Sequence, residues 1–228
     1  MAILHEEGKV IRHKLATRII HWLVALSTFT LFFSGIMQMP MAKRYGIASI
    51  PGLQWSANFA LTLKIHYWAA AVLIFAAFYH LALMIILKEY DILPRRGDLK
   101  ESIHIIKCML TGQPEPEHDK YLAEQRVAYG YMAISFALII ITGALKVYKN
   151  MPGVDLSPDT VWWLATLHNI GTGMLAFGIV AHLAAFLIKE NRHLLPSMLN
   201  GKVSLEYCLR RHPLRMAKLM GMGKKEGA

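Results

Sequence analysis

Two stretches of the chain, "HYWAAAVLIFAAFYH" from His66 to His80 and "HNIGTGMLAFGIVAH" from His168 to His182, begin and end with histidine, at the same fourteen-residue interval. In a helix that interval separates the rings by about 21 Å along the axis and returns them to within about 40° of one face. Each segment therefore shows two imidazoles on one side at two well-separated heights. A fifth histidine, His21, opens another apolar run. Ionisable side chains inside apolar helices are costly and usually face a bundle interior. One alone can serve as a hydrogen bond to a neighbouring helix, but five at two matching depths point to a shared ligand. Neutral imidazole is a common axial ligand of haem iron, and two helices that face each other can contribute one ligand each. Zinc prefers four ligands gathered at one point, often with thiolate or carboxylate, and no apolar run offers that grouping. Two separated imidazole pairs favour two haems.

The elements that must hold these rings are membrane spans. The chain has 228 residues, 55% of them hydrophobic and 18% charged, a composition strained for a soluble domain. A bilayer core needs about 20 mostly apolar residues per helix. Four stretches qualify, at 19–39, 61–87, 127–147 and 161–188, and the fold class expected is an all-α integral membrane protein, a four-helix transmembrane bundle. The first stretch is read as a true span rather than a signal peptide, because its charged lead is long and Gln38 and Pro40 end it without a small-residue cleavage pattern. Cys108 and Cys208 lie far apart, with no CxxC or CxxCH, so neither a disulfide nor covalent haem is expected.

The net charge of +10 belongs to topology rather than to nucleic acid. Of the 25 Lys and Arg, twenty lie before the first span, between the second and third, or after the fourth, against five elsewhere. By the positive-inside rule both termini and the middle loop are cytoplasmic. The loop between the first two spans carries a turn at Pro51 and Gly52 and an interfacial Trp55. Asp159 or Thr160 is expected to cap the fourth helix. In the middle loop "DLKESIHIIKCMLTG" shows apolar residues at helical spacing beside charged ones, as in a helix on the inner membrane surface. The tail from Glu190 onward, with His193 and His212, reads as a solvated extension, a lipid-headgroup contact or a docking surface.

With this topology His66 and His168 lie toward the outer face and form one pair. His21, His80 and His182 compete for two positions at the inner level, and spacing does not choose among them. Gly35, Gly143, Gly171, Gly173 and Gly178 would let a flat macrocycle approach the backbone, or simply let helices pack closely. Arg18, one turn before His21, suits a haem propionate or just the positive-inside rule.

The chain resembles the cytochrome b (gamma) subunits of membrane-bound formate dehydrogenases, with related subunits in thiosulfate reductases and nickel-iron hydrogenases. The resemblance rests on "ATRIIHW" opening the first span, His66 opening the second, "KYLAEQR" before the third, "HNIGTGMLAFGIVAH" in the fourth and "NGKVSLEYCLRRHP" after it. It implies that His21 and His182 bind a cytoplasmic-side haem b and that His66 and His168 bind the opposite one. His80 is then left over, as a supporting donor, a proton carrier or an alternative ligand. A four-span dihaem cytochrome b domain over residues 1–190 and a basic cytoplasmic tail over 191–228 follow. The implied role is an electron-transfer subunit of a respiratory oxidoreductase in the bacterial inner membrane. Electrons would pass between an iron–sulfur partner, bound to a catalytic subunit, and quinone or menaquinone near the cytoplasmic face, beside His182. The family's asparagine before the third span stands here as Leu122, while Gln125 remains. Competing readings from the residues alone are a histidine-lined proton channel or transporter, and a haem-free membrane anchor.

Overall fold

The computed structural model describes residues 4–5, 8–114 and 116–219; residues 220–228 of the expected tail lie outside the described residues. Its elements are short strands β1 (Leu4–His5) and β2 (Lys9–Ile11), then helices α1 (Leu15–Gln38), α2 (Pro40–Arg44), α3 (Phe59–Ile86), α4 (Asp98–Thr111), α5 (Ala123–Tyr148), α6 (Pro158–Ala184) and α7 (Ser197–Asn200), strand β3 (Lys202–Ser204), and helices α8 (Leu205–Arg211) and α9 (Pro213–Leu219). Four of these, α1, α3, α5 and α6 with its 3-10 extension to Leu187, are long and apolar enough to cross a membrane. Most of their large apolar side chains are exposed, as with Phe75, Phe78, Phe177 and Val180. In a soluble protein such surface would aggregate; in lipid it is the solvated face.

The chain divides into two compact units, Leu15–Lys88 and Met1–Lys14 with Glu89–Ala228. In the first, α1 packs along α3. The helices begin earlier than their apolar runs. Asn58 caps α3 by accepting the Leu61 N–H at 3.1 Å, and the connection from α1 is built by α2 and two 3-10 turns, with Trp55 against Phe33 at 5.7 Å.

In the second unit α5 packs along α6. The cap of α6 is Ser157, not Asp159 or Thr160: its Oγ accepts the Thr160 N–H at 3.3 Å. Pro158 takes the first helical position, where a missing N–H costs nothing. At the far end the last carbonyls are met by side chains. Asn191 Nδ2 donates to Ala185 O at 3.0 Å, and Arg192 donates to Phe186 O and Leu187 O at 3.2 and 3.1 Å. The amphipathic helix expected in the middle loop is α4. Its Asp98, Ser102, Ile105 and Cys108 are buried, and its C-terminal Gly112 takes a left-handed turn (φ 68°) that lets its N–H return to Cys108 O.

Two features were not expected from the sequence. The first is an antiparallel sheet in the order β1-β2-β3, with Val10 opposite Val203. It folds the segment after α6 into a small core of Val10, Val203, Tyr207, Cys208 and Met216, so this segment is not a loose extension. Its strands are two or three residues long, too short to carry a period. Both cysteines are buried and free.

The second is the reach of a likeness already visible in the equal histidine spacing of the second and fourth apolar runs, which extends to an internal repeat. The buried residues of α3 are Thr62, Ala69, Leu73 and Ala76, and those of α6 are Leu164, Gly171, Leu175 and Gly178. Each lies as far along the chain from its counterpart as His168 lies from His66. In the leading helices Ser27 and Ser34 of α1 match Ser135 and Thr142 of α5. On that register Arg18 matches Arg126, whereas His21 matches Tyr129.

Candidate functional site

His21 sits on α1, His66 and His80 on α3, and His168 and His182 on α6. The first three belong to one unit and the last two to the other. His182 is exposed and the other four are half-buried. His21 stands edge-on to Trp22 at 5.4 Å between ring centres, and His182 edge-on to Phe186 at 5.8 Å.

His66 and His168 have matching surroundings. His66 Nδ1 is 2.9 Å from Ser34 Oγ, and His168 Nδ1 is 3.0 Å from Thr142 Oγ1. Each hydroxyl also bonds back to its own helix, Ser34 to Thr30 O at 2.7 Å and Thr142 to Leu138 O at 2.6 Å. A hydroxyl has one proton, and a carbonyl can only accept. The proton is committed to the carbonyl, so the hydroxyl oxygen accepts from the imidazole. Nδ1 therefore carries the hydrogen in both rings and Nε2 carries the lone pair. That is the tautomer an iron or other metal ion takes, with the far nitrogen anchored by a neighbour.

The residue after each hydroxyl is glycine. A Cβ at Gly35 would lie 3.5 Å from His66 Cε1, and one at Gly143 would lie 3.4 Å from His168 Cε1. In both cases the next nearest ring atom is Nδ1, at 3.9 Å, so each glycine lies against the hydroxyl-facing edge of its imidazole, at ordinary contact distance, and not against Nε2. The five glycines named from sequence thus separate by role. At Gly171 a Cβ would press into Ile139 Cγ2 at 2.8 Å, and at Gly178 it would collide with Met132 Sδ, so these two serve the close packing of α6 on α5. Gly173 faces open space.

Other polar groups help define the site. Thr28, two turns after His21, is buried, and its hydroxyl has no hydrogen-bond partner among the described residues. Arg126, the repeat counterpart of Arg18, is committed to Asp98 through a bidentate pair at 2.8 and 2.6 Å and to Tyr121 O at 2.8 Å. The guanidinium, and the Arg95 N–H, hold the Asp98 carboxyl below the usual carboxylate range. Gln125 accepts the Leu122 N–H at 3.3 Å at the start of α5, and Leu122 is buried. Both residues serve the helix terminus here.

Sequence reasoning missed Ser34 and Thr142; the faint signal was a hydroxyl-glycine pair, Ser34-Gly35 and Thr142-Gly143, in the helix before each histidine helix. It named His212 only as part of the tail, whereas the structure makes it a buried ring between two fixed partners. His212 Nδ1–H donates to Asp119 O at 2.7 Å, and Nε2 accepts from Arg12 Nη1 at 3.1 Å. Burial, with Arg12 beside it, pushes its pKa down to about 4.

Comparison with known proteins agrees with this chemistry. Over 215 residues, 92% of this chain and 83% of the relative, the sequence is 22% identical to the formate dehydrogenase cytochrome b556 subunit of Haemophilus influenzae. The family model for prokaryotic cytochrome b561 matches residues 12–201, a range that takes in all four apolar helices and all five histidines. With imidazoles in the iron-binding tautomer on helices fit for a membrane, the chain belongs to the prokaryotic cytochrome b561 family, multi-pass membrane cytochromes that carry electrons with haem b.

Proposed function

We propose that the chain is the membrane-anchoring dihaem cytochrome b subunit of a respiratory oxidoreductase complex, passing electrons between an iron–sulfur partner subunit and the quinone pool. The relative's name, a formate dehydrogenase subunit, supports an assembly with other chains, and in this reading substrate chemistry belongs to a catalytic subunit. The observation that carries the proposal is the pair of tautomer-defined imidazoles, His66 and His168, at equivalent places in two repeats of one chain.

His66 and His168 hold one haem b through Nε2, and His21 and His182 hold the other. The excess of Lys and Arg in both terminal segments and the middle loop supports their cytoplasmic placement, which sets the His21 and His182 level nearer that face and nearer the quinone. Bound haem b supplies reversible one-electron iron chemistry. The chain fixes the imidazoles at two depths, keeps the surroundings apolar, and offers Arg18, one turn before His21, as a charge-assisted partner for a carboxylate of the cofactor. His80, outside this ligand set, is the group on α3 that can exchange a proton at the inner level.

The test is spectroscopic. Protein purified in detergent should show b-type bands in the reduced-minus-oxidised spectrum, about two haems per chain by pyridine haemochrome, and oxidation of the reduced haems by a quinone analogue. Absence of b-type bands rejects the cytochrome, one haem per chain rejects the dihaem form, and haems inert to the analogue reject the quinone role.

A further inference from the structure

We infer that Ser34 and Thr142 are twin positioning residues, which tune His66 and His168 by accepting their Nδ1 protons. The inference rests on reading those histidines as iron ligands, and it adds what sets their donor strength. Hydroxyls in apolar helices commonly bond back one turn, and Ser27, Thr30 and Ser135 do so here at 2.7, 2.8 and 2.8 Å. That habit alone means nothing. What distinguishes Ser34 and Thr142 is a second partner, an imidazole on the neighbouring helix. The arrangement occurs twice at matching repeat positions, once with serine and once with threonine, so the shared element is the hydroxyl rather than the residue. A fixed acceptor on Nδ1–H orients the ring and makes Nε2 a stronger donor. A stronger donor favours the ferric over the ferrous state and lowers the midpoint potential.

Since His66 and His168 are assigned to the same haem, Ser34→Ala and Thr142→Ala should act on one haem and spare the other. Haem content and redox titration of purified protein provide the test, with Ser34→Thr and Thr142→Ser as conservative controls. Each alanine variant is expected to retain the haem with affinity weaker by roughly 10-fold and to raise the potential of the same component. The double variant should shift it further, and the hydroxyl-retaining variants should match the parent. If an alanine variant loses that haem, recovery in its conservative partner supports the role, whereas loss in both overturns it. Unmoved potentials in alanine variants that keep both haems also overturn it, as does a conservative variant that shifts as far as alanine. The underlying ligand reading fails separately: His66→Ala or His168→Ala protein that keeps both haems would refute it whatever Ser34 does.

Discussion

In the helix pair of α1 and α3, His66 gives its Nδ1 proton to a serine followed by glycine; in the pair of α5 and α6, His168 gives its proton to a threonine followed by glycine. At this end the two repeats are chemically interchangeable. Toward the other end they diverge. His80 and His182 match, but α1 carries His21 where α5 carries Tyr129, and Arg126 is tied to Asp98 on α4, an element the first repeat has no counterpart for. The small residues differ too, with Ala69 and Ala76 in α3 replaced by Gly171 and Gly178 in α6. A symmetric ligand set would use His66 with His168 and His80 with His182. The proposed set breaks that symmetry at the inner level, where His21 is the surplus histidine without a repeat partner.

The largest effects come from breaking this asymmetry. His21→Ala is expected to remove one of the two haems while His80→Ala keeps both, read by haemochrome content; the opposite result restores full symmetry and moves the ligand role to His80. Next is the ion pair special to the second repeat. Asp98→Ala leaves the buried guanidinium with only Tyr121 O and the longer Glu101 contact at 3.7 Å, and should cost about 3 kcal/mol, seen as an early thermal transition in detergent. Asp98→Leu with Arg126→Met should recover most of that loss.

Acid should also strike the second unit selectively. His212 is neutral in the fold with a pKa of about 4 against an ordinary 6.5, so below pH 6.5 the unfolded state binds a proton that the folded state refuses. Its contribution, about 3 kcal/mol, is fully present above pH 6.5 and is lost as the pH falls toward 4. His212→Gln should flatten that part of the pH dependence of unfolding. The smallest effect concerns packing: Gly178→Ala forces a methyl against Met132 and should cost about 1–3 kcal/mol, whereas Ala76→Gly at the matching place in α3 should cost about 1 kcal/mol.

The four spans were readable because lipid demands long apolar runs, and that demand leaves a strong signal. Their starts were not, since hydropathy stops at a charge while the helices continue through Arg18 and Arg126. Equal histidine spacing revealed two helices with matched chemistry, yet it said nothing of Ser34 or Thr142. A short hydroxyl side chain in a span usually bonds its own backbone, and only the packing of a second helix shows that it also accepts from an imidazole. His212 was opaque for a related reason: Arg12 and Asp119 are remote in sequence, and β2 pairing with β3 is part of the fold that sets its surroundings.

The central claim is that one histidine from each repeat grips the same haem. Haem content of His66→Ala, His168→Ala and the combined variant, measured side by side by pyridine haemochrome, tests it most directly. All three should retain the same single haem, about half the parental content, because the second substitution removes nothing further. Complete loss in the combined variant, with one haem left in each single variant, would show that the two imidazoles serve different haems and would contradict the account.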